Sequence, residues 1–158
     1  MKITQVLALF VCIILIAVCG ITNAAEKILV NVKVPLPDDI KITAPAEDIP
    51  KDIAAFSGVW EGKDIGKGIG SVLVVEEINS KEAKVIYCRE AWKDERGYTS
   101  DAWCYRFKAI VTPEKRQIEF GQAQKQPSTF IMGNILNQIK GTVIKATNTD
   151  KITMTKLK

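Results

Sequence analysis

The residues from Phe56 onward predict an all-β domain: an eight-stranded antiparallel up-and-down barrel, reached through an extended N-terminal lead-in. Three observations carry this reading. Apolar residues recur with period two rather than 3.6. Eight such runs, near 57–62, 71–78, 82–88, 103–111, 117–121, 128–132, 138–143 and 151–157, are separated by turn-forming residues. The connections alternate long and short, so in a meander all the long ones share one end of the sheet. Eight strands are also the number at which a sheet closes around an interior about one side chain deep, and closure removes exposed edge strands.

Taken in chain order, the first element is a targeting segment. Met1-Lys2 is followed by an apolar run from Val6 to Ile21, then by the small residues Thr22-Asn23-Ala24-Ala25. This is the pattern of a secretory signal over residues 1–24, with cleavage after Ala24. The length of the run also fits an uncleaved anchor, and Ile16-Ala17-Val18-Cys19 a lipoprotein box whose Val18 is too large. A membrane enters only through one of these routes. The expected location is periplasmic or secreted.

Residues 25–55 form the lead-in. EKILVNVKV (Glu26–Val34) alternates enough to be a strand. Four prolines then fall between Pro35 and Pro50. Proline removes ladder donors and fixes φ, which excludes a central strand or a long helix and points to an extended, partly mobile stretch. Pro50–Phe56 fits one short helical turn, with Phe56 packing on the domain that spans 56–158.

Within that domain the clearest strand is Trp103–Val111. Trp103, Tyr105, Phe107, Ala109 and Val111 fall on one face, and Cys104, Arg106, Lys108 and Ile110 on the other. Ala83, Val85 and Tyr87 alternate with Lys84, Ile86 and Cys88 in the same way. The run from Leu73 to Ile78 breaks phase after Val75, and a bulge at Glu76-Glu77 restores it. Asn79-Ser80-Lys81, Thr112–Arg116 and Gly133-Asn134 read as turns. Gly62–Gly70 lacks the Ser or Thr and the glycine spacing of a phosphate loop and reads as a hairpin loop.

The strand phases place Cys88 and Cys104 outward on neighbouring strands. In an oxidising compartment they are expected to form a disulfide. Closing the intervening loop of 15 residues would stabilise the fold by about 3 kcal/mol.

The opening Phe56-Ser57-Gly58-Val59-Trp60-Glu61-Gly62, before an eight-strand meander, resembles the FxGxWxG start of compact bacterial lipocalin-like barrels, members of the broader calycin group. The resemblance covers about residues 56–158. It implies a structural role for Gly58 and Trp60, with the tryptophan across the barrel floor against a late basic residue. No arginine follows Arg116, so only Lys156 or Lys158 can take that part. The resemblance also implies binding of a small apolar or amphiphilic ligand.

Composition narrows the chemistry. The chain has 158 residues, a net charge of +4 and no histidine. His-based triads, Cys–His pairs and HExxH zinc sites are excluded. The charges are mixed and form no basic stripe, so nucleic acid is not an expected partner. The carboxylate pairs are adjacent in sequence and point to opposite faces of a strand, which is not a catalytic dyad. Neither an enzyme, a metal nor a cofactor is expected. The candidate ligand-binding residues are the inward aromatics Tyr87, Trp103, Tyr105 and Phe130, with Trp92 and Tyr98 of the long charged loop Arg89–Ala102. The alternative is an envelope interaction protein or an inhibitor of a secreted enzyme, acting through that loop.

Overall fold

The computed structural model describes residues 28–121, 129–135, 138–145 and 149–157. The signal segment, its cleavage position, Cys12 and Cys19 lie outside the described residues. One helical turn, α1 (Lys51–Ala54), precedes β1 (Gly58–Asp64), β2 (Gly70–Ile78), β3 (Glu82–Arg89), a two-residue pair β4 (Trp92–Lys93) and β5 (Thr99–Ser100), then β6 (Trp103–Thr112), β7 (Gln117–Gly121), β8 (Thr129–Ile135), β9 (Gln138–Ile144) and β10 (Thr149–Lys156). Eight of these strands form a closed antiparallel barrel in the order β1-β10-β9-β8-β7-β6-β3-β2. It is an up-and-down meander in which the first strand meets the last, with Trp60 opposite Lys156 and Asp64 opposite Ile152.

The strand phases hold. The register of β2 against β3 slips between Val75 and Glu77, the bulge that the apolar pattern requires. Two expectations need correction. Gly133 and Asn134 are not a turn: β8 runs through them, with Gly133 opposite both Gln117 and Lys140. Their turn-forming character is overridden by two flanking ladders. Glu26–Val34 supplies no strand among its described residues either. A closed barrel has no free edge, so a ninth strand has no ladder to join.

The lead-in instead lies across the outer face of β1, β2 and β3. Val32 is buried there against Val59, Val72, Val74, Ile86 and Cys88, with Val30, Val34 and Leu36 packed alongside. Barrel carboxylates take three of its backbone N–H groups. Asn31 donates to Glu61 at 2.7 Å, Lys33 to Glu90 at 2.8 Å and Lys41 to Glu76 at 3.3 Å. The strap thus descends the wall from the β1–β2 loop to the β2 bulge. It explains why Gly70–Val75 is buried at every residue: one side faces the core, the other the strap.

The strap ends at the floor. Ile53, Phe56 and Trp60 are fully or almost fully buried in the main core. The Trp60 indole N–H donates to the Phe56 carbonyl at 2.7 Å. Lys156 Nζ lies 5.4 Å from the Trp60 ring centroid and donates to the Ala55 carbonyl at 3.3 Å. Glycine is required twice in this opening. Gly58 has φ 114°, and a Cβ on Gly62 would stand 2.0 Å from the Thr153 carbonyl where β1 and β10 cross closely.

Cys88 and Cys104 are directly opposite in the β3–β6 ladder and joined by a disulfide, on the outer face as the phases require. Bonds of this kind persist in oxidising compartments.

Candidate functional site at the loop end of the barrel

Antiparallel order sends the connections after β1, β3, β7 and β9 to the end opposite α1. There the inward phase of each strand runs from apolar to polar. On β1 it passes Trp60 and Gly62 and ends at Asp64; on β3 it passes Ala83, Val85 and Tyr87 and ends at Arg89. On β2 it begins at Ser71, and on β10 at Asp150. These positions converge because Ser71 lies opposite both Gly62 and Arg89, while Arg89 lies opposite Trp103.

The result is a buried polar layer. Asp64 is 3% exposed and Ser71 is fully buried. Asp64 Oδ1 accepts the backbone N–H groups of Gly66 and Lys67 at 2.8 and 2.9 Å, which shapes the β1–β2 loop. Its Oδ2 meets Arg89 Nη2 at 3.5 Å. The Tyr87 hydroxyl donates to Ser71 Oγ at 3.1 Å. Burial pushes the Tyr87 phenol up to about 12, since its anion would lose hydration, and the Ser71 bond and the Arg89 charge offset this only in part. Asp150 is paired with Lys145. Burial alone would raise the Asp150 carboxyl, but the Lys145 hydrogen bond, with the charges of Lys145, Lys67 and Arg89, holds it below the usual carboxylate range.

Beneath this layer lies an aromatic one. Tyr87 packs 4.6 Å from Phe130 and 5.8 Å from Trp103, and Phe120 stacks on Phe130 at 5.0 Å. Trp103, Tyr105 and Phe107 form a stair along β6, with ring centroids 5.2 and 6.4 Å apart. Tyr87 and Phe130 fill the interior. Trp103 is half-buried, and Tyr105, although on the inward face opposite Tyr87, is 39% exposed. Among the described residues, β6 pairs with β7 only from Ile110 to Thr112, so the stair lies on the stretch flanked by β3 alone.

The structure therefore brings together four of the six aromatic residues singled out from the sequence: Tyr87, Trp103, Tyr105 and Phe130. Trp92 and Tyr98 sit on the small hairpin that the β4–β5 pair makes of the long loop. Asp94 Oδ1 accepts the backbone N–H groups of Arg96 and Tyr98, each at 2.9 Å, and Gly97 takes φ 89°. Lys67 Nζ rests 5.3 Å above the Trp92 ring, while Tyr98 at the tip is 68% exposed. Sequence reasoning missed Asp64, Ser71, Arg89, Lys145 and Asp150. Carrying the period-two phase one step past Tyr87 on β3 finds Arg89, and two steps past Trp60 on β1 finds Asp64.

No family model matches this chain, and neither does any curated protein or solved structure.

A cleft of about 680 Å³ lies elsewhere, between residues 43–49 and the β2–β3–β6 wall. Its charges answer one another: Lys84 with Glu77 at 2.7 Å, Lys108 with Glu82 at 2.5 Å, and Arg106 with Asp39 at 2.6 Å. Among the described residues no three His, Cys, Asp or Glu side chains cluster at metal-binding separation.

Proposed function

We propose that this chain is an exported lipocalin-like barrel, periplasmic or secreted, that binds a small apolar or amphiphilic molecule at the loop end of the barrel. The observation that carries the reading is the Trp103–Tyr105 pair. Both rings face inward by register, yet Tyr105 is 39% exposed and Trp103 only half-buried. Large aromatic surface left accessible beside buried polar groups is the composition of a ligand site. The interior below is filled by Tyr87, Phe120 and Phe130, so the ligand lies shallowly against the stair and not deep in a cup. The disulfide and the apolar run from Val6 to Ile21 support export.

Native mass spectrometry of the protein purified from its own host tests this directly. A co-purifying small molecule, lost when Trp103 and Tyr105 are both changed to Ala, is the expected result. A ligand-free protein that also fails to bind decan-1-ol would overturn the reading. The same spectrum reports the signal cleavage site.

A second reading is favoured by Tyr98 and Ile65, which are 68% and 65% exposed on neighbouring loops of the same rim. Exposed apolar side chains on a loop suit a protein contact. One stoichiometric partner recovered from envelope extract, and lost on changing Trp92 and Tyr98 to Ala, would favour an interaction protein over a ligand carrier.

A further inference from the structure

We infer that Arg89 receives the carboxylate head of a monoanionic amphiphile whose apolar chain runs along Trp103 and Tyr105. The inference rests on the ligand-binding reading above and specifies the class of ligand.

Arg89 is the first argument. A guanidinium carries five donors in a planar fork. Here its Nε is buried and has no hydrogen-bond partner among the described residues. Its Nη2 makes one long contact, 3.5 Å, to Asp64 Oδ2. Asp64 cannot come closer to serving the fork in full, because its other oxygen already accepts the two N–H groups of Gly66 and Lys67. A buried donor left without an acceptor is unfavourable, more so on a charged group. A ligand carboxylate entering from the rim, with a small shift of the guanidinium that opens Nε, would supply the missing acceptors with matching bidentate geometry.

Charge balance is the second argument. Arg89, Lys145 and Lys67 all act on the Asp150 carboxyl, and Arg89, Asp64 and Asp150 all act on the Tyr87 hydroxyl. These five groups share one region, with three cations against two carboxylates. One further negative charge neutralises it.

Position is the third. Arg89 lies opposite Trp103 in the β3–β6 ladder, and Tyr87, two residues before it on the same face, lies opposite Tyr105. A head group at Arg89 therefore starts its chain on the Trp103 ring and continues it toward Tyr105. Arg89 is 12% exposed, so its approach is from the rim.

Titration of the intrinsic tryptophan emission with decanoate, decan-1-ol, decyltrimethylammonium and acetate tests the assignment. Decanoate is expected to bind about ten-fold or more tighter than decan-1-ol, in line with a charge-assisted hydrogen bond. Decyltrimethylammonium should bind more weakly than decan-1-ol, and acetate not measurably. Arg89→Gln should bring decanoate to the level of decan-1-ol and leave decan-1-ol unchanged. Equal affinities for decanoate and decan-1-ol in the unaltered protein would overturn the head-group assignment and leave the ligand site standing. Failure of every ten-carbon probe to bind would remove both. Should Arg89→Gln not fold, Arg89→Lys decides. A several-fold loss for decanoate alone supports the assignment, and an undiminished decanoate affinity overturns it.

Discussion

The two ends of this barrel are built from the same eight strands and are chemically opposite. At the floor, Ile53, Phe56 and Trp60 are sealed by one helical turn, and Lys156 lies over an aromatic face. At the loop end, the inward positions carry Asp64, Ser71, Arg89 and the Tyr87 hydroxyl, all buried or nearly so. Burying an ion pair and hydroxyls where aliphatic side chains would fit seldom adds stability. The floor is explained by folding alone. The loop end is not, and that directs the functional reading to it.

Trp60→Ala should have the largest effect, a loss of about 3–5 kcal/mol measured by urea unfolding, because it empties the floor and strands Lys156. Removing the bridge with Cys88→Ala and Cys104→Ala should lower stability by about 3 kcal/mol. The unfolding midpoint reports it, and the folded state should loosen first around Tyr87 and Tyr105, whose strands the bridge joins. A loss confined to the floor would contradict the placement.

The Tyr87 phenol supplies a pH test. Its folded value is about 12, above the ordinary tyrosine value of about 10. The folded state therefore keeps a proton that the unfolded chain releases. The resulting stability is complete below about pH 10 and is lost as pH rises toward about 12, by roughly 2–3 kcal/mol in all. Tyr87→Phe should flatten that alkaline slope; an unchanged slope would place the hydroxyl in water. Smaller again is the strap. Glu61→Gln and Glu90→Gln should each cost about 1 kcal/mol or less and raise amide exchange at Asn31 and Lys33, respectively, without affecting Trp60. Smallest of all, Asp64→Asn combined with Arg89→Met should leave stability within about 1 kcal/mol of the parent, since neither charge is then left alone. A collapse of the fold would make the polar layer structural after all.

Most of the barrel was legible because most strands have one wet and one dry face, and the alternation of Trp103–Val111 records that directly. The Glu76-Glu77 bulge and the Cys88–Cys104 bridge followed from the same phase argument. What stayed hidden depends on contacts between segments distant in sequence. β2 reads as a continuous apolar run because the strap covers its outer side, and nothing local to Val72 or Val74 shows this. The strap itself looked like a strand since Val30, Val32 and Val34 alternate; the N–H groups of Asn31, Lys33 and Lys41 go to Glu61, Glu90 and Glu76, carboxylates 30 to 57 residues away. The polar layer lies beyond the last aromatic of β1 and β3, where no apolar side chain marks the inward phase. The β4–β5 hairpin had a local signal, Asp94 followed three residues later by Gly97, which is a turn pattern.

Pairing β1 with β10 has one more consequence. Synthesis proceeds from the N-terminal end, so Trp60 waits for Lys156, almost a hundred positions later, before its ring is covered. Until then every partial chain that has reached β2 carries two raw flanks of unsatisfied amides, one on β1 and one on the newest strand. Closure is the step with the longest sequence separation and the greatest loop entropy, which is the property of slow-folding topologies. A nascent molecule of this design gains most from a chaperone that shields β1.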